Sequence, residues 1–229
     1  MRAGAFSALI TCYMLLAIDT ATRTLSLALH DGQSVLAEHT WRTADNHSVE
    51  LAPNAALMLR RAGIEPRQLS GLAVALGPGT YTGLRIGLGF AKGLALAHTV
   101  PLLGVPTFDI VMKAQAPRSE TVLALIPAGR GRVSAATYAW AGEWALTSPA
   151  RIVAWAALAA ELTTPTFICG EIEPGLRLLL RERLGPVTLA APAQALRRAG
   201  VLADIGWERL RERRIDSPAT LAPIYGGNP

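Results

Sequence analysis

From Met14 to Asp19 the chain is apolar until its last residue, Met-Leu-Leu-Ala-Ile-Asp, the pattern of a buried strand whose carboxyl end faces a cleft. Leu25, Leu27 and Leu29 then alternate with Ser26, Ala28 and His30, Asp31-Gly32 supplies a hairpin turn, and Val35 to Trp41 reads as the return strand. Three antiparallel strands are therefore predicted to open the fold. The period then changes. After the N-cap candidates Asp45 and Asn46, Val49, Ala52, Ala56, Leu57 and Leu59 recur at helical intervals and Gly63 follows as a terminating glycine, which predicts a helix bent at Pro53. Leu72 to Leu76 is a short apolar strand, followed by a glycine-rich loop and a second helix to about His98. Pro101 to Val105 reads as another strand and Thr107 begins a further helix, so the order is β-β-β-α-β-α-β-α.

The second half repeats this opening more faintly. Val122 to Ile126, Val133 to Trp140 and Trp144 to Thr147 read as strands, and an alanine-rich helix is expected around 150–161. A strand from Pro165 to Cys169 and helices around 174–183 and 190–200 follow, while 202–214, rich in arginine, reads as a loop and short helix. Two lobes that each begin with a hairpin-linked sheet and continue as β/α units predict a duplicated α/β fold. The expected division is a loose extension at 1–13, an N-terminal lobe at 14–109 and a C-terminal lobe at 110–229.

Composition narrows the function classes. With 229 residues, 51% of them hydrophobic and 17% charged, the chain can bury a real core and is not disordered. Scarce charge leaves apolar surface outside, which marks partner sites. The net charge of +5 comes almost wholly from arginine, Lys92 and Lys113 being the only lysines, and no basic cluster exceeds Arg197–Arg198 and Arg211–Arg214. An RNA-binding module therefore stays open as one reading. Cys12 and Cys169, far apart, build neither a disulfide framework nor a zinc site, which fits a reducing cytoplasm. Arg2 and the apolar run Ala5 to Ile18 imitate a signal peptide, but cleavage would remove the first strand, and the run is shorter than the roughly 20 residues a membrane span needs.

The strongest local motif is Gly77-Pro-Gly-Thr-Tyr-Thr-Gly-Leu-Arg-Ile-Gly87, between a strand and a helix. A glycine turn at a helix N-terminus can present free N–H groups to phosphate. It matches neither the Walker pattern nor the dinucleotide fingerprint, so tight turning and close helix packing are an equal reading. Gly83, Gly87, Ala91 and Ala95 share one helix face, with Gly89 and Gly93 beside it, and several glycines inside one helix need a packing reason. His47 has Leu51 four positions on, so the two-histidine helical metal pair is missing, and His30, His39 and His98 are isolated. Asp19 is the best carboxylate candidate, although Thr20 and Thr22 could make it a satisfied turn residue. No nucleophile-base arrangement follows from spacing.

Taken together, Leu15-Leu-Ala-Ile-Asp-Thr-Ala-Thr22, Asn46-His-Ser-Val-Glu-Leu51, the Gly77–Gly87 loop with Ala91-Lys-Gly-Leu-Ala95, and Pro101-Leu-Leu-Gly-Val105 resemble the TsaB (YeaZ) family. The likeness is close over 14 to about 110 and looser beyond, where Pro127-Ala128-Gly129 stands in place of the family's frequent Asp-Ala-Arg. It implies the two-lobed fold of acetate and sugar kinases, Hsp70 and actin. It also implies a bacterial cytoplasmic subunit without catalytic or metal residues, which pairs with TsaD, and with TsaE as a further member, to place a threonylcarbamoyl group on the adenosine beside the anticodon of tRNA. ATP and metal are then expected on those partners, tRNA is met mainly through the complex, and no membrane is involved. The implied partner surface lies on the first two long helices, at Asn46, His47, Val49, Glu50, Pro53 and Leu57 and on the face Gly83, Gly87, Ala91 and Ala95, with a homodimer expected in isolation. Asp19, Thr20, Gly77, Gly79 and Thr80 would form a vestigial nucleotide site. The rival readings are an independent kinase or ATPase of this fold and a tRNA-binding module.

Overall fold

The computed structural model describes residues 13–44, 46–182 and 187–225, so the expected loose extension at 1–13, Cys12 and the cap candidate Asp45 lie outside the described residues, except for Tyr13. Strands form where the alternation places them: β1 (Leu15–Asp19), β2 (Thr24–His30) and β3 (Val35–Arg42) run antiparallel. Helix α1 (His47–Ala62) follows, with Pro53 inside it, and Gly63 closes it in the left-handed conformation at φ 68°. Asn46 precedes the helix without a side-chain capping bond. β4 (Gly71–Gly77), α2 (Tyr81–His98), β5 (Leu102–Pro106) and α3 (Thr107–Lys113) complete the first run, giving a sheet of order β3-β2-β1-β4-β5.

Strand periodicity divides this sheet's two faces cleanly. Leu16 and Ile18 of β1 and Leu72, Val74 and Leu76 of β4 turn toward Leu51, Ala55 and Met58 of α1 and Leu88, Ala91 and Ala95 of α2. Leu15, Ala17, Ala73 and Ala75 turn the other way.

The second lobe repeats the plan. β6 (Thr121–Gly129), β7 (Arg132–Trp140) and β8 (Trp144–Ala154) are antiparallel, α4 (Trp155–Glu161) leads to β9 (Thr166–Gly170), and α5 (Pro174–Glu182), β10 (Val187–Leu189) and α6 (Pro192–Ala195) follow. The order β10-β9-β6-β7-β8 has the same connectivity as the first sheet, which is the duplication the sequence suggests.

Three expectations are corrected. Residues 150–154 are strand and not helix, because Val133, Ser134 and Ala135 of β7 pair with Val153, Ile152 and Arg151 and the ladder overrides alanine's helix preference. The region 190–214 is not a helix over about 190–200 followed by a loop and short helix; it holds the short α6 and then the longer α7 (Ala199–Arg211). Nor does the C-terminal lobe run from 110 to the end. α7 packs Ala199, Leu202 and Ala203 on Leu15, Ala17 and Ala73 beneath the first sheet, so the chain crosses back to complete the first lobe. The approach is close: a Cβ on Gly206 would stand 2.6 Å from that of Ala73. α3 is the seam, placing Ile110 in the first lobe's core and Phe108, Val111 and Met112 in the second's.

Candidate functional site

Asp19 ends β1 at the junction of the lobes and is fully buried. Opposite it, the guanidinium of Arg197, just before α7, is equally enclosed. Arg197 Nε donates to Asp19 Oδ2 at 2.9 Å, Nη1 to Glu171 Oε2 at 2.6 Å, and Nη2 to Thr22 Oγ1 at 3.1 Å and the Thr24 carbonyl at 3.2 Å. The hydroxyls of Thr22 and Thr24 donate to Glu171 at 2.5 and 2.9 Å, and the Ala21 amide donates to Asp19 Oδ1 at 2.9 Å. One cation therefore ties the first strand of one lobe to the segment after β9 of the other. Burial pushes the Glu171 carboxyl up, but the adjacent Arg197 charge and the three side chains hydrogen-bonded to it hold it below the ordinary carboxylate value. Burial disfavours the Arg197 charge, yet Asp19 and Glu171 outweigh that and raise its pKa.

A depressed folded-state pKa contributes stability above the unfolded value and loses it as pH falls through the folded one. We expect the melting temperature to drop below pH 4.5, the reference value for Glu171, and a Glu171→Gln variant to be less stable at neutral pH but flatter with pH in acid. Melting curves from pH 7 to 3 check this; parallel profiles for the two proteins would remove Glu171 as the source.

The glycine loop is consumed by packing. The Thr80 amide donates to the Ala21 carbonyl at 2.6 Å and the Gly83 amide to Thr80 Oγ1 at 3.3 Å. A Cβ on Gly79 would collide with the Ala21 carbonyl, one on Gly83 with that of Thr20, one on Gly87 with the Thr20 hydroxyl, and one on Gly77 with the Ile224 carbonyl. Thr20, itself buried, donates its hydroxyl to the Gly83 carbonyl at 2.7 Å. Of the expected vestigial nucleotide site, Asp19, Thr20 and Gly77 are thus buried against protein atoms, and only the half-buried Gly79 and Thr80 line open space. A nucleotide needs free amides for its phosphates and free carboxylate lone pairs for its metal; the residues here do not fit one.

The predicted partner face is corrected likewise. Gly83, Gly87, Ala91 and Ala95 are buried inside the first lobe, so they present no surface. His47 is buried too, its Nε2 donating to the Thr22 carbonyl at 2.8 Å, and Glu50 is half-buried, accepting from the Trp41 indole at 2.8 Å. Asn46, Val49, Pro53 and Leu57 are exposed, Val49 at 70%. On α2 the open positions include Gly89 and Gly93, where an added Cβ meets nothing within 4 Å, and Leu96, 72% exposed.

Between the lobes a cavity of about 450 Å³ lies above the ion pair, with Arg42, His47 and Thr82 on one wall and Arg130, Glu171 and Glu173 on the other. Sequence reasoning missed Arg197, Glu171 and Arg130; Arg197 had registered only as half of a short basic cluster. Cys169 is buried in the second core and its thiol is pushed up to about 12, so it stays protonated. Among the described residues no group of three or more His, Cys, Asp or Glu could hold a metal, and no helix is long and apolar enough to cross a membrane.

A family model described as TsaD, tRNA N6-adenosine threonylcarbamoyltransferase, matches residues 35–163, more than half of the chain. The tRNA threonylcarbamoyladenosine biosynthesis protein TsaB of Escherichia coli is 38% identical over 137 residues, 56% of this chain and 59% of that one. The TsaB protein of Bacillus subtilis is 35% identical over 124 residues, 54% of each. The chain thus spans little more than half the length of the curated relatives it matches. Among solved structures, YeaZ from Pseudomonas aeruginosa superposes with a TM-score of 0.74 at 26% identity, covering 93% of this chain and 99% of that one.

Proposed function

The chain belongs to the TsaB (YeaZ) family and carries the TsaD-type domain, and from that premise we propose that it is a subunit without a catalytic site of its own, pairing with a TsaD-type transferase in tRNA threonylcarbamoyladenosine synthesis. Its two-lobed architecture is the one shared by acetate and sugar kinases, Hsp70 and actin. The observation that carries the reading is the Arg197 guanidinium: it occupies Asp19, the carboxylate best placed to bind a metal, and joins it to Glu171 across the junction where an active relative would need open space. ATP and metal then reside on the partners, TsaD and TsaE, in the cytoplasm. The docking surface in this reading is the exposed side of α1 and α2, at Asn46, Val49, Pro53, Leu57, Gly89, Gly93 and Leu96. The two helices pack on the same side of the sheet, and the open glycines let a partner helix approach closely. The same face forms a homodimer when the partner is absent.

With magnesium and ATP the purified chain is expected to show no turnover near the ordinary enzyme rate of about 10 per second. Pull-down with a TsaD homologue tests pairing. Val49→Arg, at a position where the fold loses nothing, is expected to weaken capture by at least about tenfold, since a desolvated unpaired charge in an interface is costly. Robust ATP turnover, or capture unchanged by Val49→Arg, would return the field to the independent kinase or move the interface off these helices.

A further inference from the structure

On the far side of Arg130 a second groove, of about 310 Å³, opens between the loop before α2, the β6–β7 turn and the C-terminal segment. Its chemistry differs from that of the cavity above the ion pair, which contains Glu171 and Glu173: Arg130 and Arg132 line it, and among its lining residues there is no carboxylate. At its edge the rings of Tyr81 and Tyr225 stack with centroids 5.3 Å apart and planes inclined by 25°, while remaining 57% and 40% exposed. The Arg85 guanidinium lies 3.8 Å from the Tyr81 ring centroid and its Nε donates to Tyr225 Oη at 2.8 Å, so the platform is held in place before any ligand arrives.

Two further observations point to an occupant. Ser134 of β7 is buried on the groove wall and its hydroxyl has no hydrogen-bond partner among the described residues, an arrangement that native proteins rarely leave unsatisfied. Arg130 sits at φ 54° between Gly129 at 74° and Gly131 at 67°, a left-handed run that L side chains adopt at a penalty and that here places an arginine with no ion pair among the described residues on the lining of both cavities.

We propose that this groove binds a single-stranded segment of RNA, with an unpaired base stacking on the Tyr81–Tyr225 platform, phosphates on Arg130 and Arg132, and the Ser134 hydroxyl donating to a ligand oxygen. Exposed aromatic faces flanked by arginine suit unpaired bases, whose π-faces are open, and they do not suit a duplex, whose bases are stacked on each other. The identity of the RNA as the loop of a tRNA rests on the proposed function; the groove's preference for single strands does not.

The test is fluorescence anisotropy of the full chain with a labelled oligouridylate, and with the same strand annealed to its complement, across a salt series. The single strand is expected to bind more tightly than the duplex. Tyr81→Ala is expected to weaken binding about tenfold, Tyr81→Phe to retain it, and Arg130→Gly, which suits the left-handed backbone, to weaken it and lower the salt slope by about 0.7. Failure to bind the oligonucleotide, wild-type affinity in both Tyr81→Ala and Arg130→Gly, preference for the duplex, or full displacement by ATP alone would overturn the proposal. Pull-down with the TsaD homologue separates the two readings: Tyr81→Ala and Arg130→Gly are expected to lose RNA binding and keep capture, a wild-type chain that binds the single strand but fails to capture the homologue would sink the pairing alone, and one that captures the homologue but fails to bind the single strand would sink the groove alone.

Discussion

Replacing Arg197 by methionine is expected to remove about 3–5 kcal/mol of stability, the usual loss when one member of a buried ion pair is deleted and its partner is stranded. Asp19 is wholly buried and cannot recover the lost interaction from water, and Glu171 loses the charge that offset its own burial. Methionine fills similar space, so the loss reports charge and hydrogen bonding more than a cavity. Arg197→Lys should fall between, because a single ammonium cannot serve Asp19, Glu171, Thr22 and the Thr24 carbonyl together. Adding Asp19→Asn and Glu171→Gln to Arg197→Met should restore part of the stability, since neutral amides need no buried counter-charge. Urea unfolding measures each step. An unmoved midpoint for Arg197→Met would mean that the guanidinium does not hold the seam.

The second large effect separates two kinds of glycine on one helix. Gly83→Ala and Gly87→Ala drive a methyl into the Thr20 carbonyl and hydroxyl, and Thr20 cannot yield because its hydroxyl is bonded back to Gly83. A loss of about 1–3 kcal/mol each is expected, the range for overpacked cores. Gly89→Ala and Gly93→Ala place the same methyl in open space and should stabilise the isolated chain by about 0.5–1 kcal/mol each, as alanine does inside a helix. Thermal unfolding of the four variants decides. If the first pair were tolerated as well as the second, α2 would have to sit farther from the β1–β2 turn than described here.

The first lobe was legible because its signals are local. Continuous or alternating apolar runs marked β1 to β5, and the glycine at 63 marked the end of α1. Even there the face of α2 was misassigned: Gly83, Gly87, Ala91 and Ala95 do need close packing, but periodicity cannot say whether the neighbour is another chain or the turn at Thr20. The second lobe was harder to read because pairing outweighed propensity, as in the strand that continues through Ala150 and Arg151. Arg197 was illegible for a different reason. Its partner Asp19 lies 178 residues earlier, and nothing in the pair Arg197–Arg198 distinguishes the buried arginine from the one that salt-bridges Glu38 at the surface. The small residues Ala199, Ala203 and Gly206 were the available clue to α7, because they fall at helical spacing and leave room for Ala73 and Leu15.

That return of α7 to the first sheet has a consequence for synthesis on the ribosome. The underside of the first sheet, with Leu15, Ala17, Ala73 and Ala75, is translated early and meets Ile110 of α3 soon after, but the rest of its cover emerges only with Ala199–Arg211. Throughout translation of the second lobe the nascent chain carries an incompletely covered apolar sheet, a surface that chaperones bind and that aggregates when crowded. The lobe that comes first in sequence is therefore the last to close, and it closes in the same event that carries Arg197 to Asp19.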